Sequence, residues 1–353
     1  MFYLGLYTIN FYVLLVFSLV WVLCLRFFAT SYSSRLVLTF DVLLILGLAL
    51  IVSYDISVRP IDNYGDTFAY YQFYEDLVAG IVGPFDKAFV YLAKFLVYLE
   101  SPYIVFFWVV PFFLMVSYYV LAIVFFNKQS AWPVILIVVL VVSPFFLSLS
   151  ANIIRQGMAI VFLTLSISMV LRQKKKISWC MFVIAFLFHK SVLICLPFML
   201  WAPQLSRLPM FSVFCTWMIV SVASFGGWFA ALSTFIFNKL SEQGISINYS
   251  DLDNVSYETG FRWDFWFFSS LPLIFLYVYK KIVLEASFKE VAFMTFLTYL
   301  GVVHIGMLDI AYNDRFGIYA WYYYPFLIVL IVRVAAANVV NGYKIRLNKF
   351  DFV

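Results

Sequence analysis

Charge is what this 353-residue sequence has least of: only 12% of its residues are Asp, Glu, Lys or Arg. A soluble domain carries about 25% charged and roughly 45–50% apolar residues. Here the apolar share is 65% and the mean hydropathy is +0.99. So little polar surface cannot cover a water-exposed globule. That excludes a soluble enzyme, a disordered chain, collagen, a coiled coil and a compact nucleic-acid-binding domain. The four cysteines, Cys24, Cys180, Cys195 and Cys215, lie inside apolar runs and supply neither a CxxC pair nor a disulfide framework. Only two histidines, His189 and His304, are present. With no cluster of metal-ligating residue types, no metal and no cofactor are expected. The first apolar run, Met1 to Leu25, has no basic region before it and no small-residue cleavage site, so it reads as a retained span. There is no internal repeat and no soluble appendage, so residues 1–353 read as a single transmembrane domain. What the sequence has in excess is aromatic: 42 Phe, 25 Tyr and 10 Trp, or 22% of the chain. Lipid-facing helices have use for Phe, but not for so many tyrosines.

A spanning helix needs about 20 apolar residues, within a range of roughly 17–25. Runs of or near that length are 2–25, 36–54, 103–126, 132–149, 153–171, 210–237, 263–279, 290–308 and 317–335. Two shorter runs, 177–188 and 191–201, flank His189-Lys190-Ser191. Short loops rich in Lys and Arg stay on the cytoplasmic side. The basic stretches are Arg172 to Lys176, Lys280 to Lys289, and the tail with Lys344, Arg346 and Lys349. All three fall on that side only if the two short runs cross separately. The expected fold is therefore an all-α polytopic membrane protein of about eleven segments, N-terminus out and C-terminus in. Its longest outer loops are 55–102 and 238–262. On this topology the inner side carries 15 of the 23 Lys and Arg with three acids, and the outer side carries 14 acids with eight bases. The net charge of +5 thus sets orientation and does not argue for nucleic acid.

Ionisable residues near membrane depth are expensive, so each calls for a functional reading beside a structural one. Just outside the second span lie Arg59, Asp62, Tyr64 and Asp66, then Tyr70 and Tyr71. Pro60 and Gly65 mark a turn that can present Arg59 and Asp66 to a common point, the alternative being a solvated loop. The string Asn152-Ile153-Ile154-Arg155-Gln156-Gly157-Met158-Ala159 opens a later span, with Asn152 expected as N-cap and Arg155 in the first turn. A cation there opposes the helix dipole and calls for an anionic ligand or, alternatively, for headgroups reached by snorkelling. Phe188-His189-Lys190-Ser191 places a histidine suited to accept and return a proton between the short helices. A hydrogen-bonded structural histidine is the other reading. Asp309 and Asp314-Arg315 precede Phe316, Tyr319, Tyr322 and Tyr323, and Arg262 precedes Trp263 as another guanidinium at a helix start. His304 reads as structural. The charge-derived topology puts all these clusters on the outer face, whereas a transport pathway would pair charges near the midplane. Arginine suits bidentate phosphate binding, and Tyr and Trp faces suit sugar rings.

The strings Asn152 to Ala159, Phe188-His189-Lys190-Ser191 and Arg315…Tyr319 resemble the EpsG-type family of Wzy-like polysaccharide polymerases. Arg59…Gly65-Asp66…Tyr70 is similar to that family's first outer-loop pattern, and the resemblance spans most of the chain. It implies a GT-C-like helical architecture and a glycosyltransferase of the bacterial cytoplasmic membrane. The implied substrates are undecaprenyl-diphosphate-linked oligosaccharide repeat units, joined at the outer face into O-antigen, capsule or exopolysaccharide. The implied partners are the lipid bilayer and a chain-length regulator protein. On that resemblance Arg155, Arg315, Arg59 and Arg262 hold the diphosphate, and His189 or Asp66 takes the acceptor proton. Tyr70, Tyr71, Tyr319, Tyr323, Gln156, Asn152 and Asp314 face the sugars. The Arg-x10-Gly pattern of O-antigen ligases is absent, which favours a polymerase over a ligase. Two other classes share many of these parts. A flippase of lipid-linked glycan calls for polar residues at mid-depth on several helices. A membrane O-acyltransferase calls for loss of acetyl groups at unchanged chain length.

Overall fold

The computed structural model describes residues 9–21, 34–61, 66–83, 85–126, 131–229, 231, 260–282, 287–309 and 313–340. Asp62, Tyr64, Gly65, most of the 238–262 loop and the Lys344, Arg346 and Lys349 tail lie outside them. Among the described residues all regular structure is helical. Lipid offers no hydrogen-bond partners, so an apolar chain must satisfy its backbone within each helix. Two compact units emerge, residues 1–193 and 194–353.

The first unit holds α1 (Ile9–Val20), α2 (Ser34–Ser57), α3 (Thr67–Val78), α4 (Lys87–Tyr98), α5 (Tyr103–Phe125), α6 (Trp132–Val141), α7 (Pro144–Ala151), α8 (Ile154–Leu171) and α9 (Lys175–Phe188). A 3-10 turn, Lys190–Cys195, follows α9. The core is built on α5, which packs against α2 and α8, while α8 also pairs with α9. Phe106, Phe107, Leu114, Met115 and Leu121 of α5 are buried. A Cβ on Gly157 would lie 2.6 Å from the Leu149 carbonyl oxygen and 2.8 Å from Val110 Cγ1, so only glycine lets α8 pass its neighbours here. The α8–α9 hairpin is stapled by two serines. Ser166 Oγ donates to the Ser178 carbonyl (2.8 Å) and Ser178 Oγ to the Ser166 carbonyl (3.0 Å). Asp41, the acid within a span, is 2% exposed and accepts from Trp21 Nε1 at 2.8 Å.

The second unit holds α10 (Leu196–Ser206), α11 (Met210–Phe225), α12 (Trp263–Ile282), α13 (Phe288–Ile305), α14 (Asp314–Trp321) and α15 (Tyr324–Val340). Helices α12 and α13 pair closely because Gly301 sits against the Ser269 carbonyl. Ser287 and Glu290 form a capping box at the start of α13. Glu290 also accepts from Tyr279 of α12 (2.5 Å) and Arg333 of α15 (3.3 Å), joining three helices at one carboxylate.

Among the described residues, five helical stretches are long and apolar enough to cross a bilayer: Val37–Ser57, Tyr103–Phe125, Ile154–Leu171, Phe288–Ile305 and Asp314–Val334. The pair α6–α7 makes a sixth if counted as one span; it bends by 64° at Ser143-Pro144, where proline cannot continue the preceding helix. The sequence count of about eleven is higher for identifiable reasons. The described parts of runs 2–25 and 210–237 give helices of 12 and 16 residues. The short runs beside His189 give α9 and α10, of 14 and 11 residues, as two helices interrupted at the expected place. Helix α12 has 20 residues, diluted by Trp, Ser and Lys. The 55–102 segment contains two helices outside the spans. Of these, α4 buries Phe89, Val90, Ala93 and Leu96 and exposes Tyr91, Phe95 and Tyr98.

Gly157→Ala is expected to destabilise the solubilised protein by about 1–3 kcal/mol, the usual cost of overpacking. Gly47→Ala, whose Cβ would meet nothing nearer than 3.8 Å, should leave thermal unfolding unchanged or slightly raised. Equal melting temperatures for the two variants would contradict this account of the α8 crossing.

Candidate active site

Three helix ends of the first unit converge on Arg59. Helix α2 ends at Ser57 and α7 at Ala151, each leaving carbonyls without an intrahelical donor. Arg59 supplies donors to both: Nη1 to the Ile56 carbonyl (2.7 Å) and Nη2 to the Ala151 carbonyl (2.8 Å). Its Nε donates to Thr67 Oγ1 at 3.3 Å, and Thr67 Oγ1 donates in turn to the Ala151 carbonyl at 2.8 Å. The guanidinium stacks 4.5 Å from the Phe107 ring centroid and the residue is 4% exposed. Asn152 differs from its expected role. It follows α7 as its C-cap, Ile153 precedes α8, and neither side chain caps a helix N-terminus. Asn152 Oδ1 instead accepts from the Asp66 backbone N–H at 2.8 Å, fastening the start of α3 to the α7–α8 break.

Arg155 lies in the first turn of α8, as expected, and its problem with the helix dipole is met from within the chain. Nη1 pairs with Asp86 Oδ2 at 3.2 Å, and the guanidinium lies 4.7 Å from the Phe85 ring centroid. The Arg155 side chain is 24% exposed and that of Asp86 14%. Asp86 occupies the N-cap position of α4 yet makes no side-chain cap bond. Its carboxylate turns to Arg155 instead. Burial pushes this carboxyl above its ordinary value, against the opposing pull of Arg155 and Lys190. Lys190 follows His189, whose Nδ1 meets Ser191 Oγ at 2.6 Å and accepts from the Ser191 N–H at 3.3 Å. The first unit therefore gathers Asp66, Asn152, Arg155, Asp86 and Lys190 at neighbouring helix ends, with α9 packed on α4. The basic stretch Arg172 to Lys176 lies at the opposite end of the α8–α9 hairpin.

The aromatic candidates divide by burial. Tyr70 is 3% exposed, with its ring 5.9 Å from Phe85 and 5.7 Å from Phe89, so it supports the Phe85 wall. Tyr71 is half-buried and meets Tyr103 edge-on at 4.9 Å. Gln156 is 1% exposed. In the second unit Tyr319 and Tyr323 are fully buried, Tyr323 against Phe293 at 5.6 Å and Phe296 at 6.1 Å. Arg315 and Asp314 are half-buried at the start of α14. Arg262 is engaged locally: it forks onto Asp264 (2.9 and 2.5 Å) and lies 4.0 Å from the Phe265 ring centroid. His304 is fully buried, bonded to Ser269 Oγ at 2.7 Å and edge-on to Trp321 at 5.0 Å, consistent with a structural part. Burial also pushes the Asp309 carboxyl up, in the turn after α13.

The sequence reading did not single out Phe85 or Asp86. Their signal was a Gly-Pro turn followed by an acid at a helix N-cap position (Gly83-Pro84-Phe85-Asp86), which reads equally well as ordinary capping.

The two arginines of the first unit should respond differently to truncation. Arg59→Ala leaves buried carbonyls short of a donor and is expected to cost about 2–4 kcal/mol. Arg155→Ala removes a partly exposed pair, for which about 1 kcal/mol or less is expected. Thermal unfolding in detergent reads both, and the reverse ranking would contradict the clamp role of Arg59.

No curated protein and no solved structure shows significant similarity to the chain. A model of the EpsG family does match, over residues 38–348, and that span contains the Arg59, Arg155, His189 and Arg315 motifs. Helical membrane architecture, these motifs in order and a match over most of the chain agree: the protein belongs to the EpsG family of Wzy-like polysaccharide polymerases.

Proposed function

We propose that the protein joins undecaprenyl-diphosphate-linked oligosaccharide repeat units at the outer face of the bacterial cytoplasmic membrane, as a GT-C-like glycosyltransferase. The observation that carries this reading is Arg155: a partly exposed guanidinium in the first turn of α8, backed by Phe85 and joined by Asp86 and Lys190. Family membership supplies the polymerase chemistry. Charge distribution supports the side, because the site lies at the end of the α8–α9 hairpin remote from Arg172 to Lys176. On the same charge rule the chain crosses about eleven times, with the C-terminus inside.

The growing chain on its lipid diphosphate is the donor, and a new lipid-linked unit offers a sugar hydroxyl. As the anomeric C–O bond breaks, negative charge develops on the departing diphosphate. Arg155 stabilises that charge, and one preorganised donor of this kind is worth about 10²–10³-fold in rate. Arg315 and Arg262 are the second unit's candidates for diphosphate contact, with Asp314 beside Arg315. Arg59 holds the end of α7, beyond which α8 begins and carries Arg155. In the first unit Tyr71 and Asn152 are open enough to meet sugar and Tyr70 and Gln156 are buried supports, while in the second unit the fully buried Tyr319 and Tyr323 serve that unit's own packing. His189 and Asp66 stand among the groups that could manage the acceptor proton. A chain-length regulator is the partner such a polymerase would work with.

Deletion of the gene and complementation with Arg155→Ala or Arg315→Ala should leave single-unit lipid-linked glycan and abolish the polymer ladder on a gel. A normal ladder with Arg155→Ala would sink the assignment of that residue. Unchanged chain length with loss of acetyl mass would instead mark an acyltransferase.

A further inference from the structure

We propose that Asp86 is the general base of the transfer reaction and, before substrate arrives, the resident counter-ion of Arg155. The inference rests on the polymerase reading and adds a catalytic residue to it.

Three observations lead to Asp86. First, it gives up its local preference: an Asp at a helix N-cap ordinarily accepts from the first-turn N–H groups. Asp86 makes no such bond and reaches Arg155 instead, at 3.2 Å. Second, the guanidinium it meets is the one placed to receive a diphosphate, and Phe85 covers that guanidinium beside the pair. An incoming diphosphate is a bidentate, more highly charged acceptor for the same Arg155 donors and competes with the carboxylate for them. Third, His189 is poorly arranged for the same task. Its Nδ1 accepts from the Ser191 N–H, so the neutral ring carries its proton on Nε2 and presents a donor there. Asp66 is tied to the site through its backbone N–H, which donates to Asn152 Oδ1.

The groups facing Asp86 are Arg155 from α8 and Lys190 after α9, while Tyr70 and Phe73 of α3 pack on its neighbour Phe85. Burial already pushes the Asp86 carboxyl up from its ordinary value. Loss of Arg155 to the diphosphate removes the largest opposing influence, so substrate binding makes the carboxylate more basic where the acceptor hydroxyl arrives. In the step itself, the acceptor oxygen forms the new bond to the donor anomeric carbon. Its proton passes to Asp86, and the anomeric C–O bond breaks with its electron pair leaving on undecaprenyl diphosphate, against Arg155. Asp86 then returns the proton to water.

The test uses the full chain in lipid nanodiscs, with lipid-linked repeat units purified from the deletion strain as probe. Joining of units and half-saturating donor concentration are measured for wild type, Asp86→Asn, Asp86→Glu and His189→Gln. Asp86→Asn should lower the joining rate by about 10²–10⁴-fold, with donor half-saturation unchanged or lower because a competitor for Arg155 is gone. Asp86→Glu should restore part of the rate. The wild-type rate should fall on acidification with a midpoint above about 4, the ordinary Asp value, and His189→Gln should keep that limb. Joining by Asp86→Asn within threefold of wild type would overturn the proposal while leaving the polymerase reading intact. Loss of the acid limb in His189→Gln would also overturn it, assigning the base to His189; if Asp86→Asn does not fold, Asp86→Glu decides, since joining by that variant with the wild-type rate and an unshifted acid limb would overturn the proposal. No joining by wild type would overturn the polymerase reading, and this proposal with it.

Discussion

One guanidinium fastens the helix ends on which the first unit's site is built. Arg59 donates to the last carbonyls of two helices, α2 and α7, and to the threonine that opens a third, α3. Helix C-termini carry partial negative charge, so a cation shared between two of them is favoured electrostatically as well as by hydrogen bonding. In a dry environment the carbonyls could not turn to water instead. Without this clamp the α7–α8 break would have no fixed position relative to α3, and Asn152 could not hold the Asp66 backbone.

The same chemistry serves the opposite purpose at Arg155. Arg59 sits where the helix dipoles want a cation, is buried, and commits three nitrogens to the chain. Arg155 sits where the dipole disfavours a cation, remains partly exposed, and pairs with a single carboxylate, Asp86. Position relative to helix ends, rather than residue type, separates the buried clamp at Arg59 from the partly exposed ion pair at Arg155. Arg262, forked onto an acid two residues away, is a third case, a local pair at the surface.

The sequence made the class of fold legible, because 65% apolar residues in runs of spanning length leave few alternatives. It also located the interruption at His189 and the placement of Arg155 in a first turn, both set by local composition. What it could not show was long-range pairing. Asn152 has the residue type of an N-cap, yet its side chain serves a backbone 86 positions away. Arg59 and Asp66 share a turn motif, but Arg59 is drawn into the interior by carbonyls whose orientation no local pattern reveals. Tyr319 and Tyr323 have helical spacing suited to an exposed platform and are fully buried, since periodicity gives a face but not what covers it. Asp86 was hidden because its position has an ordinary explanation that its side chain does not follow.

The paired serines of the α8–α9 hairpin act on the site from a distance. Ser166 lies eleven residues beyond Arg155, and Ser178 lies eleven residues before His189. At about 1.5 Å per residue both arms measure roughly 16–17 Å from the staple. Two reciprocal hydrogen bonds at the closed end of the hairpin therefore set Arg155 and His189 at the same height at its open end. A slip of a single helical turn would offset them by about 5.4 Å, more than the reach of any direct hydrogen bond. The hairpin behaves as a ruler with equal arms, its zero mark kept by two small hydroxyls.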